Sequence, residues 1–407
     1  MKKKINNIEY FIYILITILI VFFLTESFIL YLSLIIFTIL ILIIVRKNFK
    51  IIIPKNIIYF SVLILLSFLH IIISASDFSS IESNVKEIIR FAFYIMLIIV
   101  VSNLTISYSV FKKMWTIVFL TVFTISVMQF LKLFDINNKL ISFYGESIHL
   151  LVSEKYDSLD LFRAGSVFIN PNGYAKFILL FFVIFLYFYS FKMKNNIKNL
   201  IILIIISFSF ILAGSRTGIL IGILLACVKI ININFKQIKF KRTSVFNVLY
   251  IILFFITILV VYLFIGFNLE PFRILNISQG IQISLGYKYE TFINILGFFN
   301  NQNHFFGLGA FNTNIENLTL IDFDFGYLYS FYGIIGVFIY LNILRGFYLN
   351  RDYNIPNKFV ISILIIMFLF GITGGVLFNI RYFSLIILIL SIRIKNDSGG
   401  NKNESHS

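Results

Sequence analysis

Seven residues of this chain combine the type and the setting needed to hold an anion and act on it: Arg163, Asn172, Arg216, Arg273, Lys288, Asp324 and Arg381. Arg163 stands ahead of Asn170-Pro171-Asn172-Gly173, where the proline and the amides fit the start of a helix. A helix start is also a natural place for an anion. Arg216 lies in Gly214-Ser215-Arg216-Thr217-Gly218, with Gly214, Gly218 and Gly222 spaced for close packing of helices. Asp324 sits in Asp322-Phe323-Asp324-Phe325-Gly326 and could take a proton from a hydroxyl or pair with a nearby cation. Arg381 follows Asn379, and Lys176 lies one helical turn beyond Asn172. Several forked guanidiniums suit phosphate oxygens, each charge-assisted bond contributing about 1.5–3 kcal/mol. Interfacial arginines reaching toward lipid headgroups, and a glycine packing ridge, account for the same residues without chemistry.

The elements that must position these groups are apolar helices. The chain has 407 residues, 59% of them hydrophobic and 13% charged. A soluble domain carries about 25% charge. Runs of Ile, Leu and Phe continue without an amphipathic stripe, so the helices face lipid or one another. The expected architecture is all-α: a polytopic integral membrane protein of about twelve transmembrane helices, with both termini on the cytoplasmic side. Spans are predicted near 8–24, 28–45, 57–75, 90–107, 114–133, 172–191, 197–213, 217–232, 246–267, 326–343, 359–374 and 376–393. Residues 1–395 form one domain, and residues 396–407, rich in Asn, Ser and Gly, read as a disordered cytoplasmic tail.

Charge tests that layout. Most of the 34 Lys and Arg fall in short segments assigned to the cytoplasm, such as Arg46-Lys47, Lys112-Lys113 and Lys236 to Arg242. Most of the 18 Asp and Glu fall on the other side. The net charge of +16 is therefore a topology signal rather than a nucleic-acid footprint. Two external loops are long, at about 134–171 and 268–325, and long loops usually carry function. The second holds an amphipathic stretch from Tyr289 to Phe299. The basic start at Lys2-Lys3-Lys4 precedes an apolar run without a small-residue cleavage site, which reads as an uncleaved signal anchor.

Other chemistries lack residues. Cys227 is the single cysteine, which excludes an intrachain disulfide. His70, His149, His304 and His406 show no metal-ligand spacing, and His70 in an apolar span reads as a packed neutral residue. Neither a phosphate-binding Gly-Lys loop nor a nucleophile elbow is present, so no metal and no cofactor is expected. The absence of an internal repeat gives no support to an inverted-repeat transporter.

Taken in order, Arg163-x-Gly165 with Pro171-Asn172, Ser215-Arg216, Phe306-Gly307-x-Gly309, and Asp324-x-Gly326 with Gly333-x-x-Gly336 resemble the O-antigen ligase and polymerase superfamily, the Wzy-type polymerases among them. The resemblance covers roughly residues 160–345. It implies a membrane glycosyltransferase that takes an oligosaccharide from undecaprenyl diphosphate and joins it to an acceptor sugar outside the bacterial cytoplasmic membrane. Its implied partners are that lipid-linked donor, the bilayer and a chain-length regulator, with no nucleic acid. By motif, Arg216 is the first candidate to hold the diphosphate and Arg163 the second; Arg273 and Arg381 join from position alone. Ligases of the superfamily commonly carry a His near the place of Asp324, so the aspartate favours a polymerase that makes O-antigen or capsule. Relatives often carry an Arg where this chain has Lys288 before Phe292, and lysine keeps the charge without the fork. A ligase, or a flippase or transporter of lipid-linked oligosaccharide, stands as the alternative. An adhesion or sensor protein without catalysis is a further one.

Overall fold

A computed structural model describes residues 2–25, 28–48, 50–73, 78–144, 164–168, 171–189, 196–231, 290, 293–294, 296–297, 303–309, 323–352, 354–373 and 375–395. The described residues are mostly helical, in thirteen helices with one pair of short strands. The helices are α1 (Lys2–Ile18, extended by a π-turn Leu19–Phe23), α2 (Ile29–Arg46), α3 (Ile57–Ile73), α4 (Phe78–Ser102), α5 (Tyr108–Phe130), α6 (Ile136–Tyr144), α7 (Pro171–Phe188) and α8 (Asn196–Ala213). They continue as α9 (Arg216–Ile231), α10 (Asn303–Phe306), α11 (Asp324–Leu349), α12 (Asn357–Thr373) and α13 (Ile380–Leu390). Among the described residues, four helices are long and apolar enough to cross a bilayer, as a membrane protein requires: α2, α5, α7 and α11. The apolar runs of α1, α3, α8, α9, α12 and α13 are shorter. The expected span at 246–267 lies outside the described residues.

Apolar runs look alike in sequence but occupy different layers. Every residue of α13 is buried. α7 is buried over 89% of its apolar window and packs on α5, α8, α9, α12 and α13. α2 is buried over only 22% of its window and lays the stripe Leu32, Ile36, Ile39, Leu40 and Ile43 inward. α2 packs on α4. The rest of α2, including Leu30, Leu34, Phe37 and Leu42, is open to the surroundings, the pattern of a lipid-facing helix. α4 is a second hub, packed against α2, α3 and α13.

Several helix boundaries differ from the sequence expectation; α5 starts six residues earlier and α11 runs six residues longer than expected, and two others have an identifiable local cause. The helix expected at 90–107 starts at Phe78 and stops at Ser102, because Thr105–Ser107 forms a strand, β1, before α5 begins at Tyr108. β1 pairs in parallel with β2 (Arg393–Lys395), with Ile106 opposite Ile394. The span expected at 376–393 is an eleven-residue helix, α13, because residues 375–379 form a turn.

The strand pair gathers one end of the bundle. Glu9 accepts from the Thr105 N–H at 2.9 Å. Asp352 accepts from Ile394 N at 2.8 Å, and Asn354 Nδ2 donates to Ile394 O at 2.8 Å. Asn103 ties the α2–α3 connection to α4: it accepts from Ile52 N and donates to Ile52 O, both at 2.9 Å. Its main-chain carbonyl accepts from Lys47 Nζ. Asn103→Ala is expected to cost about 1 kcal/mol, because it removes both halves of that clasp. Thermal unfolding of the detergent-solubilised protein checks it.

Candidate functional site

The opposite end of the bundle holds three of the charged groups singled out in the sequence, Lys176, Asp324 and Arg381. At its centre is the turn 375–379 between α12 and α13. Asp324, the first residue of α11, is fully buried. Its Oδ1 accepts from Val376 N at 2.8 Å and from Leu377 N at 3.1 Å; its Oδ2 accepts from the same two amides at 2.9 and 3.0 Å. Tyr340 OH donates to Oδ2 at 3.4 Å. Two successive backbone N–H groups around one carboxylate form an anion-binding nest. On the other side of the turn, Tyr94 OH donates to Leu377 O at 2.8 Å, and Lys176 Nζ donates to Gly375 O. Lys176 also acts electrostatically on the Asp324 carboxylate. The sequence offered Asp324 as a base or as the partner of an arginine. In the fold its oxygens accept from backbone amides, and Lys176 acts on the carboxylate electrostatically.

The turn delivers Arg381. Asn379 caps α13, its Oδ1 accepting from Tyr382 N at 3.0 Å, which places Arg381 in the first turn. Arg381 is 5% exposed. Its Nε donates to Leu24 O at 2.8 Å and its Nη1 to Val167 O. The guanidinium carbon lies 5.0 Å from the Tyr144 ring centroid and 5.7 Å from that of Phe168. Among the described residues, Nη2 is buried without a hydrogen-bond partner. Burial pushes the Tyr144 phenol up, against a smaller opposite pull from Arg381, so Tyr144 stays neutral and its OH donates to Phe22 O at 2.7 Å. Val167 is held by a short 3-10 turn, Ser166–Phe168. Ser166 adopts φ 49°, donates from its N–H to Gln129 Oε1 at 2.6 Å and from Oγ to Val122 O at 2.7 Å.

The Asn-Pro-Asn and Gly-Ser-Arg pieces meet. Pro171 opens α7 as its first residue, as its missing N–H favours. Asn172 Oδ1 accepts from Ser215 Oγ at 3.1 Å, and Ser215 Oγ accepts from Gly218 N at 3.3 Å. A Cβ at Gly218 would come within 2.9 Å of Ala175 Cβ, so this glycine lets α9 approach α7 closely. At Gly222 the same atom would meet only ordinary contacts, from 3.5 Å outward. Arg216 is the first residue of α9, but its side chain lies outside the described residues, as do Arg163, Arg273 and Lys288. The helix expected at Tyr289 to Phe299 is described only at 290, 293–294 and 296–297.

The two glycine motifs form one interlock. α11 breaks at Gly333, with φ 64° and ψ −159°. Into that break lies the segment after α10: Leu308 N donates to Ser330 O at 2.8 Å and Gly309 N to Phe331 O at 3.1 Å. His70 braces it, its Nε2 lying 3.0 Å from Phe306 O, while Ser67 Oγ and Tyr332 OH share a 3.0 Å hydrogen bond.

Glu87 and Arg90 were missed in the sequence reading. Arg90 Nη1 and Glu87 Oε1 are 2.6 Å apart, with side chains 11% and 5% exposed. Tyr327 OH donates to the same Oε1 at 3.1 Å. Tyr327 stacks on Phe378 at 3.7 Å, and Arg90 lies over that ring at 5.8 Å, so the pair borders the turn. The available signal was an opposite-charge pair three residues apart, just ahead of the apolar run that begins at Phe91 within α4. Among the described residues, no group of three or more His, Cys, Asp or Glu is placed to hold a metal ion.

No family model matches the chain, and no curated protein matches it.

Proposed function

We propose that the protein is a repeat-unit polymerase of a cell-surface polysaccharide, a glycosyltransferase of about twelve spans in the bacterial cytoplasmic membrane with both termini inside. The observation that carries the reading is Arg381: a guanidinium drawn into the interior, fixed by two backbone carbonyls, with one amino group left for a further acceptor. A buried cation with spare donor capacity calls for an anion. The gathering of Lys47, Arg393 and Lys395 at the opposite end from Asp324 and Arg381 supports the topology.

In this reading the donor is an undecaprenyl-diphosphate-linked oligosaccharide and the acceptor is a sugar hydroxyl of another lipid-linked glycan. The hydroxyl oxygen bonds to the anomeric carbon as the bond from that carbon to the diphosphate breaks, and the hydroxyl proton passes to the leaving diphosphate or to external water. The leaving diphosphate takes up the charge against Arg216 and Arg381, joined by Arg163, Arg273 and Lys288 from the long external loops, with Asn172 at the rim. Positive groups fixed in advance around a leaving anion are an electrostatic form of catalysis.

The test is purified protein in proteoliposomes, given the lipid-linked repeat unit alone, with products separated by size. A ladder of products is expected. A single addition to a different acceptor would make the protein a ligase. Movement of the lipid-linked glycan across the bilayer without a new glycosidic bond would make it a flippase.

A further inference from the structure

We infer that Asp324 is a positioning residue that sets Arg381 through the turn 375–379, and that it does not take the proton of the acceptor hydroxyl. The inference rests on the polymerase reading for its catalytic consequence, but its structural half stands on geometry alone. Both carboxylate oxygens accept from the same two amides, Val376 N and Leu377 N, within 2.8–3.1 Å, and the group is fully buried. The lone pairs a base would use are aimed at the protein's own backbone. Val376 and Leu377 are themselves fully buried, so their N–H groups depend on that carboxylate for satisfaction.

The turn is gripped from three elements at once. α11 supplies Asp324 to its amides, α4 supplies Tyr94 to Leu377 O, and α7 supplies Lys176 to Gly375 O. Phe378 fills the remaining side, against Tyr327, Phe91 and Arg90. From Leu377 it is two residues to the Asn379 cap and four to Arg381. A shift of the turn therefore rotates or displaces the start of α13 and moves the guanidinium off Leu24 O and Val167 O. Gly375 provides no side chain to brace that segment, and among the described residues Asp324, Tyr94 and Lys176 hold its backbone.

The test uses full-length protein with Cys227→Ser and Val376→Cys, so that the only thiol reports on the turn. With Asp324 in place the thiol is expected to resist a water-soluble maleimide, as Val376 is fully buried. Asp324→Asn puts an amide N–H₂ against backbone N–H groups, and labelling should quicken by at least about tenfold. On the parent chain, Asp324→Asn is expected to slow polymerisation by about 100-fold at every pH, as misplacement of a remote group does, with the shape of the pH–rate profile kept. Tyr94→Phe removes one grip without touching a carboxylate and should slow the reaction by about fivefold, again without reshaping the profile. Equal labelling with and without Asp324 would overturn the inference. So would a profile that loses its acidic limb only in Asp324→Asn, the mark of a lost base. If the parent chain makes no polymer, the polymerase reading falls, while the labelling rates still decide whether Asp324 holds the turn.

Discussion

Gly307→Ala or Gly333→Ala is expected to leave little folded protein. A Cβ built on Gly307 would stand 2.2 Å from Phe331 C, and one on Gly333 would stand 2.2 Å from Phe305 O. Both obstacles are backbone atoms, which cannot swing aside as a side chain can. Both glycines also have positive φ, 75° and 64°, a conformation that costs another residue about 1–3 kcal/mol. Overpacking adds about 1–3 kcal/mol at each site. For one variant the sum is about 2–6 kcal/mol, which reaches the lower end of the stability of an ordinary domain, about 5–15 kcal/mol. The effect should also be reciprocal, since each glycine makes room for the other's segment. The double variant is therefore expected to lose less than the two single losses added together. Yield of monodisperse protein after detergent extraction, and thermal unfolding of what survives, measure it. Near-normal yield of either single variant would mean that the helix break at Gly333 and the segment after α10 are not locked together.

Arg381→Lys and Arg216→Lys should each reduce long-chain product by at least about 100-fold, the effect of removing one oriented charge stabiliser. Arg381 performs two tasks with one planar group: it satisfies Leu24 O and Val167 O, and it retains Nη2. Lysine has the charge but brings it as a single ammonium on a flexible stem, so it cannot bridge two carbonyls and keep a third direction fixed. For Arg381→Lys a modest loss of stability, about 1 kcal/mol, accompanies the loss of product because one carbonyl goes unpaired. Arg216 opens α9 beside the Ser215–Asn172 contact. Arg216→Ala should match Arg216→Lys in product and in yield. Measuring product per folded protein separates the two effects. Full-length polymer from either lysine variant would remove that arginine from the diphosphate site.

The sequence made the apolar helices legible because Ile, Leu and Phe fill them from end to end. It could not rank them by depth, since a helix buried on all sides, such as α13, and one facing outward, such as α2, share that composition. β1 was hidden for another reason. Thr105–Ser107 and Arg393–Lys395 are three residues each, and nothing local announces a partner so distant along the chain. At the site, the helix start at Pro171 followed from residue type, whereas Asn379 fell inside the span expected at 376–393 and only the fold shows it as a cap. Asp324 was visible as a carboxylate at a helix start, but the direction of its oxygens depends on Val376 and Leu377, which are apolar residues contributing only backbone. The two glycine motifs read as separate loose signals because their meaning is mutual. Only the hydrogen bonds from Leu308 and Gly309 to Ser330 and Phe331 join them. Glu87 and Arg90 were readable as a pair and were passed over because both fall among residues of mixed charge just outside an apolar run.

The parallel pairing of β1 with β2, together with the bonds from Tyr13 OH to Leu388 O and from Arg381 to Leu24 O, ties the earliest part of the chain to the latest. A ribosome releases the first partner of each pair long before the second. While the protein is being made, Tyr13, Leu24 and the Thr105–Ser107 edge wait for a helix that has not yet emerged. Assembly must therefore wait until α13 and β2 have been made, and a message cut short ahead of Ile380 would yield a bundle with its keystone missing.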